Sequence, residues 1–334
     1  MAVTNRKNRG PQIFQPSFNG LTLEIPNGQY IQRGKVILKG SITIAGGTTN
    51  GTAVGEGGPI NLIKLIEIVC NPAGGGNMIY PGGNVVYATP RSLLHWAQMQ
   101  TGKFVGEMSG STLGNGAPGT YPIYLSIPIF FSDENLRNQV QTALPADASI
   151  FSSIQLQVST GGATDCFAGT DRVWTYNLQV QWDDSRVDMA APANPMILFQ
   201  EDHSLLIQAA MTRLNDPGMP NTGEFLSWLV MGLQGTSYTL SDAILNRVTA
   251  QSQTWDFDEF AQDIRADMYE CQWLDPSQNA AGLYMIDQTE GIIQNRNPAP
   301  GMLKWFDVNN PSGASLDQLL IFTRRVYAAQ QASS

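Results

Sequence analysis

The stretch WTYNLQVQW, residues 174–182, determines the fold class because its apolar and polar side chains alternate without interruption. A period of two predicts a β-strand with one face in a core and one face outside it. The apolar face consists of Trp174, Tyr176, Leu178, Val180 and Trp182. We interpret these aromatic residues as core, with an exposed sugar-stacking platform as the alternative.

The chain changes character directly after this stretch. Asp183 and Asp184 are interpreted as a solvated turn, and residues 190–195 contain three alanines and two prolines, which cannot continue a sheet ladder. A new apolar run begins at Met196. We therefore predict a first β-domain over 21–189, a linker at 190–195 and a second β-domain over 196–334.

The two halves share an order of predicted elements. Thr89-Pro90 opens a helix in the first half, and a capping box formed by Asp256 and Glu259 opens one in the second. Each helix precedes a strand, YPIYLSIPIF (121–130) or AGLYMID (281–287). A polar segment, a strand and a final strand then follow in both halves. This order predicts an all-β protein made by tandem duplication, with short inserted helices.

Composition points to assembly and away from the recognition of nucleic acids. Charged residues are 14% of the chain, against about 25% in ordinary proteins. The net charge is −9, yet Arg6, Lys7 and Arg9 lie in residues 1–20, before any acid. We predict that 1–20 form a basic N-terminal arm, which could make a weak, non-specific contact with phosphates. The alternative is a solvated terminus.

Few residues could carry chemistry, so we expect no enzymatic activity, metal or cofactor. His95 lies in the predicted first helix. His203 is the last residue of the run Glu201-Asp202-His203, whose neighbouring side chains point to opposite faces of a strand and so do not converge on a metal ion. The cysteines are Cys70, Cys166 and Cys271, widely spaced and odd in number, which argues against disulfides and zinc. Calcium at the acidic clusters and a two-carboxylate hydrolase stay open. No apolar run is long enough to span a bilayer.

Two β-domains with inserted helices, a Pro-rich linker and a basic arm resemble the double jelly-roll major capsid proteins. These proteins build tailless icosahedral bacteriophages with an internal membrane, and the size is similar to the finnlakevirus and corticovirus forms more than to the larger tectivirus ones. The resemblance covers about 21–327 and includes GGPINLIKLIEIVCNP (57–72) and TPRSLLHWAQMQTGKF (89–104). It carries no diagnostic motif and no functional residue.

The resemblance implies two tandem eight-stranded jelly rolls. It also implies a homotrimer with a six-sided outline, which tiles an icosahedral shell over an internal membrane. The expected partners are further copies of the chain, penton and minor capsid proteins, and lipid. The expected location is the virion, after synthesis in the host cytoplasm. In that setting Arg6, Lys7 and Arg9 would face membrane or genome, and deletion of 1–12 would spare the trimer. A β-sandwich carbohydrate-binding or adhesive module, such as a virion spike, is the alternative.

Overall fold

The computed structural model describes residues 3–55, 58–73, 78–79, 83–101, 108–109, 113–132, 142–188, 190, 196–215, 223–251, 256–270, 281–287, 297–298, 303–313, 317–328 and 330–331. Within these residues the chain is mainly β-structure, and it divides into two compact units. The first unit is Met1–Leu94, Val105–Phe199 and Tyr327–Ser334, and the second is His95–Phe104 and Gln200–Val326.

The strands of the first half are β1 Val3–Ile13, β2 Leu21–Glu24, β3 Tyr30–Ala45, β4 Thr52–Ala53, β5 Ile63–Pro72, β6 Met78–Ile79, β7 Gly83–Ala88, β8 Met108–Ser109, β9 Gly119–Phe130, β10 Phe151–Thr160, β11 Phe167–Ala168 and β12 Val173–Val187. Those of the second half are β13 Met196–Ile207, β14 Arg213–Asn215, β15 Glu224–Gln234, β16 Thr239–Leu240, β17 Leu245–Gln251, β18 Asp256–Phe260, β19 Leu283–Asp287, β20 Asn297–Pro298, β21 Leu303–Val308, β22 Asp317–Ala328 and β23 Gln330–Gln331. The helices are α1 Pro90–Thr101, α2 Ala163–Cys166 and α3 Ala261–Glu270.

Eight strands of the first unit form two sheets that have the strand order of a jelly roll. Taking β1, β2, β3, β5, β7, β9, β10 and β12 as strands one to eight, one sheet runs 1-8-3-6 (β1-β12-β3-β9) and the other runs 2-7-4-5 (β2-β10-β5-β7). The two-residue β8 extends the first sheet beyond β9. Every pairing between these strands is antiparallel.

The second unit repeats this order. With β13, β14, β15, β17, β18, β19, β21 and β22 as strands one to eight, its sheets again run 1-8-3-6 (β13-β22-β15-β19) and 2-7-4-5 (β14-β21-β17-β18). In both halves the longer helix lies between the fifth and sixth strands: α1 precedes β9, and α3 precedes β19. The prediction of two tandem eight-stranded jelly rolls with short inserted helices is confirmed.

The N-terminal segment differs from the predicted arm. Val3–Ile13 is the first strand of the first jelly roll and pairs with β12 from Val3↔Val187 to Ile13↔Gln179, with two register shifts. The sequence hides this strand because VTNRKNRGPQI has no apolar alternation. Its partner β12, which is strongly patterned, supplies the ladder that propensity alone would not predict.

Strand β12 is longer than the predicted 174–182 and passes straight through the predicted turn at Asp183 and Asp184. It pairs with β3 along its length, with one shift near its end. Gly40 of β3 has φ +136°, and the register with both neighbouring strands is continuous there. A Cβ at Gly40 would lie 2.0 Å from the Asn177 carbonyl oxygen, so the close backbone approach requires glycine.

The two predicted helices have different outcomes. Helix α1 begins at Pro90 as predicted, and the Thr89 hydroxyl accepts the Ser92 amide at 3.3 Å as an N-cap. The predicted capping box at Asp256–Glu259 is wrong, because Asp256–Phe260 is strand β18 and α3 begins only at Ala261. The linker at 190–195 lies outside the described residues except for Ala190, and the predicted boundaries at 20, 189 and 196 stay predictions.

Candidate functional site

The basic residues of the predicted arm lie on an edge strand. In the sheet order β1-β12-β3-β9, strand β1 has a neighbour on one side only among the described strands. Arg6 pairs in register with Asp184, and Arg9 pairs with Trp182. The backbone therefore fixes Arg6, Lys7 and Arg9 within the first jelly roll, and the surface that they contact stays a proposal.

The outer face of the same sheet carries a row of basic residues. Trp174, Leu178, Val180 and Trp182 are buried, whereas the residues between them, Thr175, Asn177 and Gln179, are exposed. Residues paired across a sheet share a face. Lys39 therefore lies beside Gln179, and Lys35 and Arg33 lie further along the same face. Neither lysine forms an ion pair with any described residue.

The inward face of β12 ends in a buried ion pair. The Arg186 and Asp184 side chains are fully buried, with Arg186 Nη2 2.8 Å from Asp184 Oδ2 and Nε 2.9 Å from Oδ1. Trp182 Nε1 donates to the same carboxylate at 2.9 Å. The predicted solvated turn at Asp183-Asp184 is thus wrong. Residues at i and i+2 share a face of a strand, so the Asp-x-Arg spacing brings these opposite charges together.

A second group of buried charges lies on the inward face of the second jelly roll. Leu319 and Ile321 of β22, Ile207 of β13 and Phe306 of β21 belong to one core cluster, and alternation places Thr323, Arg325, Glu201, His203 and Lys304 on the same inward faces. Arg325 forms an ion pair with Glu201, and the His203 ring nitrogen is 3.4 Å from the Thr323 hydroxyl. Burial, then Arg325 and Lys304, lower the pKa of His203 to about 4.

Helix α3 borders a cavity of about 510 Å³ in the second unit. Its wall includes Asp242, which forms an ion pair with Arg265. The Asp242 carboxylate also accepts a hydrogen bond from the Gly282 amide at 2.6 Å. The Arg265 guanidinium lies 4.8 Å from the centre of the Tyr284 ring. These contacts hold the carboxylate in its ionised form, and the pKa of Asp242 is lowered although burial opposes it. The charge of Asp242 is thereby balanced by Arg265, and the contacts of Arg265 connect α3 with β19.

The face of α3 opposite its buried residues is exposed and acidic, and Asp263 on it also lines the edge of the cavity. Ala261, Ile264 and Met268 are buried, while Asp263, Asp267 and Glu270 are exposed at the i, i+4, i+7 positions of one stripe. None of these three acids forms an ion pair with a described residue. Burial, Glu270 and Asp263 raise the pKa of Asp267, because like charges oppose its ionisation.

Within the described residues, the histidines, cysteines and aromatic residues named from the sequence lie in separate, mostly buried environments. His95 is buried in α1, with Nδ1 3.1 Å from the Gln98 amide oxygen. Cys70 and Cys166 are buried free thiols, and burial raises the pKa of Cys70 to about 12. Trp182 is 0% exposed, so β12 offers core and not a sugar platform. Cys271 lies outside the described residues.

The described residues also bring together no group of three or more His, Cys, Asp or Glu side chains that could hold a metal ion. Within the same ranges, the helices lack the length and apolar character needed to cross a lipid bilayer.

The chain has the fold of the double jelly-roll major capsid proteins. No protein-family model and no curated protein sequence matches it. Among solved structures it is similar to the STIV MCP, with a TM-score of 0.70, 12% identity, and coverage of 99% of this chain and 97% of that one.

Two further structures extend the comparison to other viruses. The major capsid protein P2 from Bacteriophage PM2 matches with a TM-score of 0.61 and 8% identity over 100% of both chains. The Faustovirus major capsid protein matches with a TM-score of 0.58 and 8% identity, over 99% of this chain and 90% of that one. The likeness thus spans both jelly rolls and lies in the fold, not in the sequence.

Proposed function

We propose that this chain is a major capsid protein that self-assembles as a trimer with a six-sided outline and tiles an icosahedral shell over an internal membrane. The observation that supports it most is the tandem repeat of one strand order, 1-8-3-6 and 2-7-4-5, matched from end to end by viral capsid proteins. One chain with two such barrels can occupy two corners of a hexagon, and three chains then supply six.

Surface composition supports a self-associating protein. Only 14% of the residues are charged, and the outer face of the first sheet exposes Thr175, Asn177 and Gln179. Neutral polar surface gives little local repulsion where two copies meet, and the net charge of −9 opposes association only at longer range. Partners in the shell would be neighbouring trimers and penton and minor capsid proteins, and the location would be the virion, after synthesis in the host cytoplasm.

Light scattering of the purified chain tests the proposal. We expect a stable particle of three times the 36.3 kDa chain mass. A monomer that persists at high protein concentration would overturn the proposal. A carbohydrate-binding module would instead be a monomer or small oligomer that binds glycans, and the burial of Trp174 and Trp182 removes the platform that this alternative requires.

The basic residues Arg6, Lys7 and Arg9 are proposed to face lipid headgroups or genome phosphates. Each basic residue near an anionic membrane contributes about 1 kcal/mol, so three give a weak tether. Because these residues lie in strand β1, the test is neutralisation to glutamine and not deletion of the segment. We expect the triple variant to trimerise normally and to bind anionic vesicles at least tenfold more weakly. Unchanged vesicle binding would refute this role.

A further inference from the structure

The duplication places one helix at equivalent points of the two halves, and the two helices differ in what surrounds them. Helix α1 lies between the fifth and sixth strands of the first half, and α3 lies between those of the second. All described residues of α1 are buried or half-buried. Helix α3 has a buried side and an exposed side. The sequence positions are equivalent, so the difference requires an explanation.

The outer face of β22 is covered by a helix. From His95 onward, α1 belongs to the second unit, where the Trp96 and Phe322 rings lie 6.1 Å apart and the Arg324 guanidinium lies 4.2 Å from the Trp96 ring centre. Phe322 is 0% exposed and Leu320 is 7% exposed, although both point away from the core that contains Leu319 and Ile321. The last strand of the second barrel is thus sealed on its outside.

The equivalent face of the first barrel is exposed over residues 175–179, whereas Gln181 and Ile37 further along the same face are buried. Strand β12 is its last strand, as β22 is the last of the second, and Thr175, Asn177 and Gln179 on its outer side are exposed. Beside them on β3 lie Lys39 and Lys35, paired in register with Gln179 and Asp183. The chain therefore has one covered face, one partly exposed face at the equivalent position, and one helix with an exposed side.

The helix faces and the sheet faces match each other in polarity and charge. The apolar face of β22 meets the tryptophan of α1, as in a permanent core. The exposed part of the face on β3 and β12 is neutral with Lys39 at its edge, and Arg33 and Lys35 lie further along beside the single acid Asp183. The exposed stripe of α3, with Asp263, Asp267 and Glu270, is acidic. Like charges three and four residues apart on one stripe destabilise a helix. A basic surface on a partner would attract these three acids and offset the repulsion between them.

We propose that the exposed stripe of α3 in one copy docks on the outer face of β12 and β3 in a second copy. Each chain carries one surface of each kind, so the contact is head-to-tail, and a head-to-tail contact that closes gives a ring. This inference rests on the proposed trimer and specifies which surfaces form it.

Charge reversal tests the contact. We expect Asp267→Lys/Glu270→Lys in one chain, and Lys35→Glu/Lys39→Glu in another, each to raise the dissociation constant of the trimer at least tenfold in sedimentation equilibrium. The chain with all four changes should regain the wild-type constant within about threefold. Glu24→Lys, at an exposed acid on β2 of the other sheet, is the matched control and should change nothing. Circular dichroism checks that each variant is folded.

Disulfide trapping gives a second readout. Two chains, one with Lys39→Cys and one with Asp267→Cys, are co-expressed and oxidised. A disulfide between the two different chains is expected, and neither chain expressed alone should form one at these positions. Unchanged trimer affinity on charge reversal together with no trapped pair would overturn this interface. A wild-type chain that never trimerises would instead overturn the proposed function.

Discussion

At the residue scale, the buried pair of Asp184 and Arg186 stabilises the first jelly roll only while both members are present. Removing one partner of a buried ion pair leaves an uncompensated charge and costs about 3–5 kcal/mol. We expect Asp184→Ala to lower the free energy of unfolding by this amount in urea titration. Asp183→Ala, at the half-exposed neighbour, should cost less than about 1 kcal/mol.

A double replacement separates charge compensation from packing at this pair. If Asp184→Leu/Arg186→Met is less destabilising than Asp184→Ala, the buried charge of Arg186 is the source of the cost, because apolar side chains of similar size replace buried ion pairs at little loss. Equal destabilisation would show that the Trp182 hydrogen bond and the packing dominate instead.

His203 gives the second barrel a pH dependence of known sign. Its folded pKa of about 4 is below the unfolded value of 6.5, so the unfolded chain takes up the proton first. The stabilising contribution is complete above pH 6.5 and is lost as the pH falls from 6.5 to 4. At about 1.4 kcal/mol per pH unit over about 2.5 units, the loss is at most about 3.5 kcal/mol.

The measurement is urea unfolding across that pH range. His203→Gln should flatten the pH dependence of the unfolding free energy, since glutamine does not titrate. The groups around the ring are Arg325, Lys304 and Glu201, and the two cations account for the lowered pKa after burial. A wild-type slope that survives in His203→Gln would assign the pH dependence to another group.

At the element scale, strand β3 crosses Trp182 at a glycine. A Cβ on Gly34 would lie 1.9 Å from the indole ring, and the φ of Gly34 is not in the left-handed region, so the constraint is steric. We expect Gly34→Ala to lower stability by about 1–3 kcal/mol through overpacking. Adding Trp182→Phe should recover part of the loss, because the smaller ring makes room. No recovery would point to backbone strain.

Two neighbouring side chains, Arg172 and Asp171, hold the glycine-rich loop between β3 and β5. The Arg172 guanidinium donates to the Gly46 carbonyl at 2.7 Å and to Asn50 Oδ1 at 2.9 Å, and Asp171 accepts the Thr48 and Thr49 amides at 2.9 and 2.7 Å. We expect Arg172→Ala to make residues 46–55 a site of rapid cleavage in limited proteolysis. Arg172→Lys should restore little, because a lysine lacks the planar fork.

The elements found from the sequence are those with a periodic signal. Alternation gave β12, the N-cap at Thr89 gave α1, and the comparison of 121–130 with 281–287 paired β9 with β19, which are the sixth strands of the two barrels. The sequence did not predict strand β1, because its ladder depends on a partner more than 160 positions away. The helix predicted to begin at Asp256 was wrong, because a capping pattern can also occur in a strand, here β18 paired with β17. The α3 surface needs the three-dimensional equivalence of the two barrels and has no sequence signal of its own.

At the scale of the whole molecule, β1 changes what a truncation experiment means. Deletion of residues 3–13 removes the partner of β12 and leaves an unpaired strand edge, which is a site for aggregation. We expect this truncation to reduce the yield of soluble protein and the cooperativity of unfolding. Neutralising Arg6, Lys7 and Arg9 should do neither. If the deletion variant unfolds as cooperatively as the full chain, residues 3–13 are an arm and not a required strand of the barrel.

The short pairing of β23 with β6 has a consequence for the order of events during synthesis. Tyr327–Ser334 belongs to the first unit, and Gln331 pairs with Met78. The ribosome adds about 5–20 residues per second, so the first unit waits on the order of ten seconds after Val187 for its last segment. Through that interval all eight strands of the first barrel are available to pair, while the small separate sheet of β6 and β23 is still unformed, so the barrel can fold before this last pairing is made.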